Sequence, residues 1–151
     1  MYTLVLGLHS WLRWVALIAA ALALYFVATE RDGAGKSRSD RWGLVLMIAL
    51  DLQLVLGVLL YFWLSPFITE ALGNMAAAMK DSGVRKFVVE HPSMMLVAIV
   101  LAHVGRILAR KAKTADDRRM RLLICFGLAL LLMLISIPWP GMAGGRQLFR
   151  I

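Results

Sequence analysis

The chain has 151 residues, 61% of them hydrophobic, with a mean hydropathy of +0.76 and a formal net charge of +8. Soluble domains of this length are about half apolar, so the composition argues against a water-soluble globular protein. The single cysteine, Cys125, excludes an intramolecular disulfide and a thiolate metal cluster.

The apolar excess is gathered into four runs. A bilayer core of about 30 Å is crossed by about 20 apolar helical residues. Residues 4–28 form the first run, interrupted by His9, Ser10 and Arg13. Residues 42–64 form the second, with Asp51 and Gln53 inside it. Residues 92–109 form the third and hold His103 and Arg106. Residues 122–137 form the fourth, uncharged and closed by Pro138-Trp139-Pro140-Gly141, which cannot continue a helix. Backbone polar groups in lipid must be paired internally, and the period-2 alternation of a membrane barrel is missing, so the runs read as helices. The first run lacks a basic segment before it and is too long for a signal-peptide core, so it reads as a retained span. The sequence thus predicts one domain over residues 1–151. It is an all-α integral membrane protein, a bundle of four transmembrane helices in up-down-up-down order.

Between the runs, charge sets orientation. Segments 29–41 and 106–121 together hold eleven Lys and Arg, against five on the opposite side (Lys80, Arg85, Lys86, Arg146 and Arg150). The positive-inside rule places the first two segments in the cytoplasm and both termini outside. This asymmetry accounts for the basic net charge without nucleic acid. Gly33-Ala34-Gly35-Lys36-Ser37 lacks the spacing of a phosphate loop and reads as a turn. In the long connection 65–91, Phe67, Ala71, Leu72, Met75 and Met79 fall at helical spacing. They predict a short interfacial helix on the outer surface between spans 2 and 3, ending at Asp81-Ser82-Gly83. Trp11, Trp14, Trp42, Trp63 and Trp139 fall near span ends, as in aromatic belts.

Polar residues inside a membrane are costly and mark candidate sites. His9 and His91 both fall near the outer ends of spans 1 and 3, which are diagonal neighbours in an up-down bundle. Two facing imidazoles at one depth can hold the iron of a haem from both sides. Arg13, four residues after His9, shares its helical face and is placed to pair with a haem propionate. The plainer readings are an interfacial His9, an N-terminal His91 before Pro92, and an Arg13 paired with Glu70 or Glu90. Met94 and Met95 adjoin His91 and read as packing.

His103 is 12 residues beyond His91, about 18 Å deeper along a helix, so the two cannot share one iron. Asp51 falls at a depth similar to that of His103, and Arg106 one turn away competes for it. Asp51, His103 and Arg106 form a candidate inner polar cluster: a clasp between spans 2 and 3, a proton path towards a quinone, or a sparse ion conduit.

Several stretches together resemble a family of small bacterial four-helix membrane proteins labelled cytochrome b-like. They are Leu8-His9-Ser10-Trp11-Leu12-Arg13-Trp14, Leu52-Gln53-Leu54-Val55-Leu56-Gly57 with Tyr61-Phe62, Val89-Glu90-His91-Pro92 with Met94-Met95, and Ile135-Ser136-Ile137-Pro138-Trp139-Pro140. The resemblance covers nearly the whole chain. It implies haem b and electron transfer, with His9 and His91 as the matching iron ligands. Some relatives carry a histidine where Asp51 stands, which bears against a second haem here. The expected protein is a multi-pass carrier in the bacterial inner membrane. It would bind one haem b and exchange electrons with quinone or a periplasmic partner. The competing expectation is a cofactor-free accessory subunit of a larger respiratory or photosynthetic membrane complex.

Overall fold

The computed structural model describes residues 1–30, 37–142 and 144–146. The turn read at 33–37 therefore lies outside the described residues, except for Ser37. Among the described residues the chain is all helix, without a strand. Its elements are α1 (Tyr2–Thr29), α2 (Arg38–Leu59), α3 (Pro66–Gly73), α4 (Met75–Lys80), α5 (Ser82–Arg85), α6 (His91–Arg110) and α7 (Ala115–Ser136). A π-helical turn, Leu60–Leu64, extends α2, and a second, Lys86–Glu90, joins α5 to α6.

Four helical runs are long and apolar enough to cross a membrane: Tyr2–Thr29, Arg38–Leu64, Ser82–Arg110 and Ala115–Ser136. They match the four predicted runs, and each starts earlier than predicted. The reason is cap chemistry, which a count of apolar residues does not weigh. Thr114 accepts a 3.1 Å hydrogen bond from the Asp117 N–H, and Asp116 and Asp117 occupy the first turn of α7, where the helix dipole favours acids. The helix thus starts seven residues before the apolar run. Likewise Asp81 accepts from the N–H groups of Gly83 and Val84, at 2.8 and 3.0 Å, and starts the third run at Ser82 rather than at Pro92. Pro92 then lies inside a helical run, where its missing N–H leaves a gap in the backbone ladder. The π-helical turn precedes it, and the Tyr61 hydroxyl donates to the Val88 carbonyl at 3.0 Å.

The helical spacing over 67–79 becomes two short helices rather than one. The chain breaks at Asn74, whose side chain leaves the helical path to cap α4 by accepting from the Ala77 N–H at 3.2 Å. Phe67 of α3 packs edge-on to Phe87, with ring centres 5.8 Å apart, which ties this segment to the turn before α6.

α1 packs most closely on α2 and α6 on α7; the seams α1–α7 and α2–α6 are looser. The interior is built from small side chains. Ala19, Ala20, Ala23, Ala98, Ala102 and Ala129 are fully enclosed, around Leu46, Leu50 and Phe126. Small residues let helix backbones approach closely, which is how helices associate where burying apolar surface gives no advantage over lipid. The outward faces carry large apolar residues such as Ile18, Ile48, Val55, Leu96, Val100 and Leu131. At the other end from the Tyr61 contact, Glu30 caps the start of α2. Its carboxylate accepts from the Ser37 hydroxyl at 2.5 Å and from the N–H groups of Arg38 and Ser39 at 2.8 and 3.1 Å.

Candidate functional site

The first turns of α1 and α6 and the last turns of α2 and α7 surround a cavity of about 460 Å³. That volume falls within the range of small-molecule and cofactor sites, about 300–1,000 Å³. His9 and His91 both line it. Their ring centres are 6.3 Å apart, with 70° between the ring planes.

Each imidazole is held differently. The His91 Nδ1 lies 3.2 Å from the carbonyl oxygen of Ser136, whose residue is fully enclosed. A carbonyl only accepts, so Nδ1 carries the proton and Nε2 presents a bare lone pair. A ring N–H donated to a backbone carbonyl is the usual support behind a metal-binding imidazole. This contact exists because α7 stops at Ser136 before Pro138, leaving its last carbonyls without helical partners. The His9 ring lies beside Gly57, where an added Cβ would be 3.5 Å from Cε1. Gln53, almost fully buried, donates from Nε2 to the His9 backbone carbonyl at 2.9 Å. The Nδ1 of His9 and the Oε1 of Gln53 are buried without a hydrogen-bond partner among the described residues.

Two cations line the same cavity. Arg13 reaches the Ser10 hydroxyl at 3.3 Å and lies 5.4 Å from the centre of the Trp14 ring. Arg146 lies over the rings of Phe67 and Phe87, at 5.1 and 4.8 Å. Glu90, one candidate partner for Arg13, pairs with Arg85 at 2.8 Å. Sequence spacing selected His9, His91 and Arg13. It did not select Gln53, Ser136, Tyr61 or Arg146 as site residues. A lone glutamine in an apolar run was the one visible hint, whereas the roles of Ser136 and Tyr61 depend on which helix faces them.

The inner cluster comes together only in part. His103 Nε2 lies 3.5 Å from Asp51 Oδ1, joining α6 to α2. Arg106 instead donates to the backbone carbonyl of Asp40 at 3.3 Å, and no ion pair links it to Asp51 among the described residues. No group of three or more His, Cys, Asp or Glu side chains is poised to hold a metal ion among the described residues. A bare metal ion commonly needs three or four protein ligands. Two imidazoles lining one cavity suit a group that brings its other ligands with it.

Fold and site together define a helical protein with four membrane-length helices and a cavity flanked by two histidines. No known protein family, characterised protein or solved structure matches this chain.

Proposed function

We propose that the protein is a cytochrome b-like electron carrier of the bacterial inner membrane, with haem b held between His9 and His91. The spacing of the two rings carries this reading. A metal–imidazole bond is about 2 Å, and the ring centre lies about 1 Å beyond the nitrogen, so two imidazoles on opposite sides of one iron have centres about 6 Å apart. The observed 6.3 Å fits, and both rings line the cavity.

Haem b, when bound, supplies reversible one-electron exchange. The remaining roles belong to the chain. His91, fixed by Ser136, would present Nε2 to the iron. His9 would offer the opposing nitrogen, and Arg13 would pair with a propionate. Ala16 and Gly57 are the small residues on the cavity wall, and the apolar lining of Met95, Ile99 and Met133 excludes water.

The bundle reads as up-down-up-down, with both termini and this cavity on the periplasmic side and α3–α4 as an interfacial cap over it. The charge asymmetry of the connections supports that orientation. Electron exchange would run between quinone in the bilayer and a partner at the outer face.

The test is a reduced-minus-oxidised visible spectrum of the purified protein with a pyridine haemochrome count. Stoichiometric haem in the native protein, lost in His9→Ala and in His91→Ala, sustains the reading. A folded protein that stays colourless after haem supplementation overturns it and returns the chain to the class of cofactor-free accessory subunits.

A further inference from the structure

Asp51 stands at the middle of a membrane-length helix. It is 13 residues from each end of the Arg38–Leu64 run, about 20 Å along the helix from either. Its partner is His103 of α6, whose Nε2 lies 3.5 Å from Asp51 Oδ1. The His103 Nδ1 lies 3.0 Å from the Ile99 carbonyl and donates to it, so the ring faces Asp51 through Nε2 alone. No other ion pair reaches Asp51 among the described residues. Neither side chain is enclosed: Asp51 is 52% exposed and His103 36%. A carboxyl–imidazole pair half open at the depth of the lipid tails is costly until another protein surface covers it.

The surroundings of the pair form one continuous face. On α2, Leu44, Ile48 and Val55 stand at helical spacing from Asp51, and each is about half exposed. On α6, Leu96, Val100 and Ile107 stand at the same three offsets from His103 and are exposed to the same degree. Two apolar stripes thus flank one central polar pair.

The arrangement of the pair selects what covers it. Copies of one chain insert in the same orientation, so an axis along the membrane normal relates two of them. Two faces that meet across such an axis exchange left for right. Asp51 of one copy then opposes His103 of the partner subunit, at equal depth. The Asp51–His103 dipole runs from α2 to α6, and the axis sets the second dipole antiparallel to the first. Antiparallel dipoles side by side attract, and in hydrocarbon that attraction is little screened. The pair is therefore its own complement, which two carboxyls or two imidazoles would not be. We infer that the outer face of α2 and α6 is the interface of a homodimer, joined at its centre by two Asp51 and two His103 side chains. Val55 of one copy packs against Val100 of the partner subunit, since each lies one turn from the pair towards the cavity. This goes beyond the electron-carrier reading and does not depend on the cofactor.

The experiment reconstitutes the full chain in phosphatidylcholine liposomes. Förster transfer between amino-terminally labelled donor and acceptor copies follows association as lipid dilutes the protein. Transfer that titrates as a reversible dimer is expected. Asp51→Leu/His103→Leu, which keeps the face apolar and the helices intact, should weaken association about tenfold. Asp51→His puts imidazoles at both positions, and His103→Asp puts carboxyls at both. Each alone should associate weakly, whereas a mixture of the two should pair as the native chain does, a rescue that no folding defect produces. On a Cys125→Ala background, oxidation of mixed Val55→Cys and Val100→Cys chains should link unlike copies in preference to like ones. A native chain that stays monomeric at every dilution overturns the interface, because something other than a second copy then covers the pair. So does a dimer indifferent to the pair variants, or one whose cysteines link like with like.

Discussion

The Tyr61 hydroxyl donates a 3.0 Å hydrogen bond to the Val88 carbonyl, four residues before Pro92. In an unbroken α-helix that carbonyl would receive the N–H of residue 92, which proline lacks. Span 2 thus supplies a donor that span 3 has lost, immediately before the helix that carries His91. Tyr61→Phe leaves a buried acceptor unpaired and is expected to cost about 1–3 kcal/mol. Adding Pro92→Ala restores a backbone N–H, so the double variant should recover much of that loss. Thermal unfolding followed by circular dichroism measures both; equal stability of Tyr61→Phe and the native protein would show the bond to be idle.

Close approach of α6 and α7 depends on Gly105. A Cβ built there would lie 2.5 Å from the Cβ of Cys125, a contact that no rotamer can relieve. Gly105→Ala should lower stability by about 1–3 kcal/mol through overpacking. Gly105→Ala/Cys125→Gly should regain a large part by returning the lost space. Gly127→Ala is the control, since nothing lies within 4 Å of its added methyl, and its unfolding midpoint should hold or rise.

A pH dependence resides at Glu30. Slight burial acts to raise its carboxyl, but hydrogen bonds from the Ser37 hydroxyl, the Ser39 and Arg38 N–H groups and the Ser39 hydroxyl outweigh it and hold the group below the usual carboxylate range. A lowered folded-state pKa adds stability above the ordinary carboxylate value, and that stability is lost as pH falls through the lowered one. Glu30→Gln should therefore unfold earlier near neutral pH, by a few tenths of a kcal/mol. The gap between the two proteins should close in acid. A gap that stays constant across the titration would show that the charge is not what caps α2.

If haem occupies the cavity, Arg13 lies on its wall and favours the reduced, less positive state. Arg13→Gln should lower the midpoint potential by tens of millivolts, given that about 1.4 kcal/mol moves a one-electron couple by about 59 mV. Potentiometric titration reads the shift; a rise or no change would remove Arg13 from the neighbourhood of the iron.

By itself the sequence determined the four membrane-length helices, because twenty apolar residues in a row have few other stable fates in lipid. It also singled out His9, His91, Asp51 and His103, because polar side chains stand out in such runs. Helix ends were less legible: Thr114 and Asp81 start helices through side-chain caps that apolar patterning does not register. Tertiary structure alone decided the rest. Periodicity fixes a side chain's direction only relative to its own helix, so it cannot bring the His9 and His91 rings to 6.3 Å, put Ser136 behind His91, or turn Arg106 from Asp51 to Asp40. Those relations depend on which alanines let which helices meet.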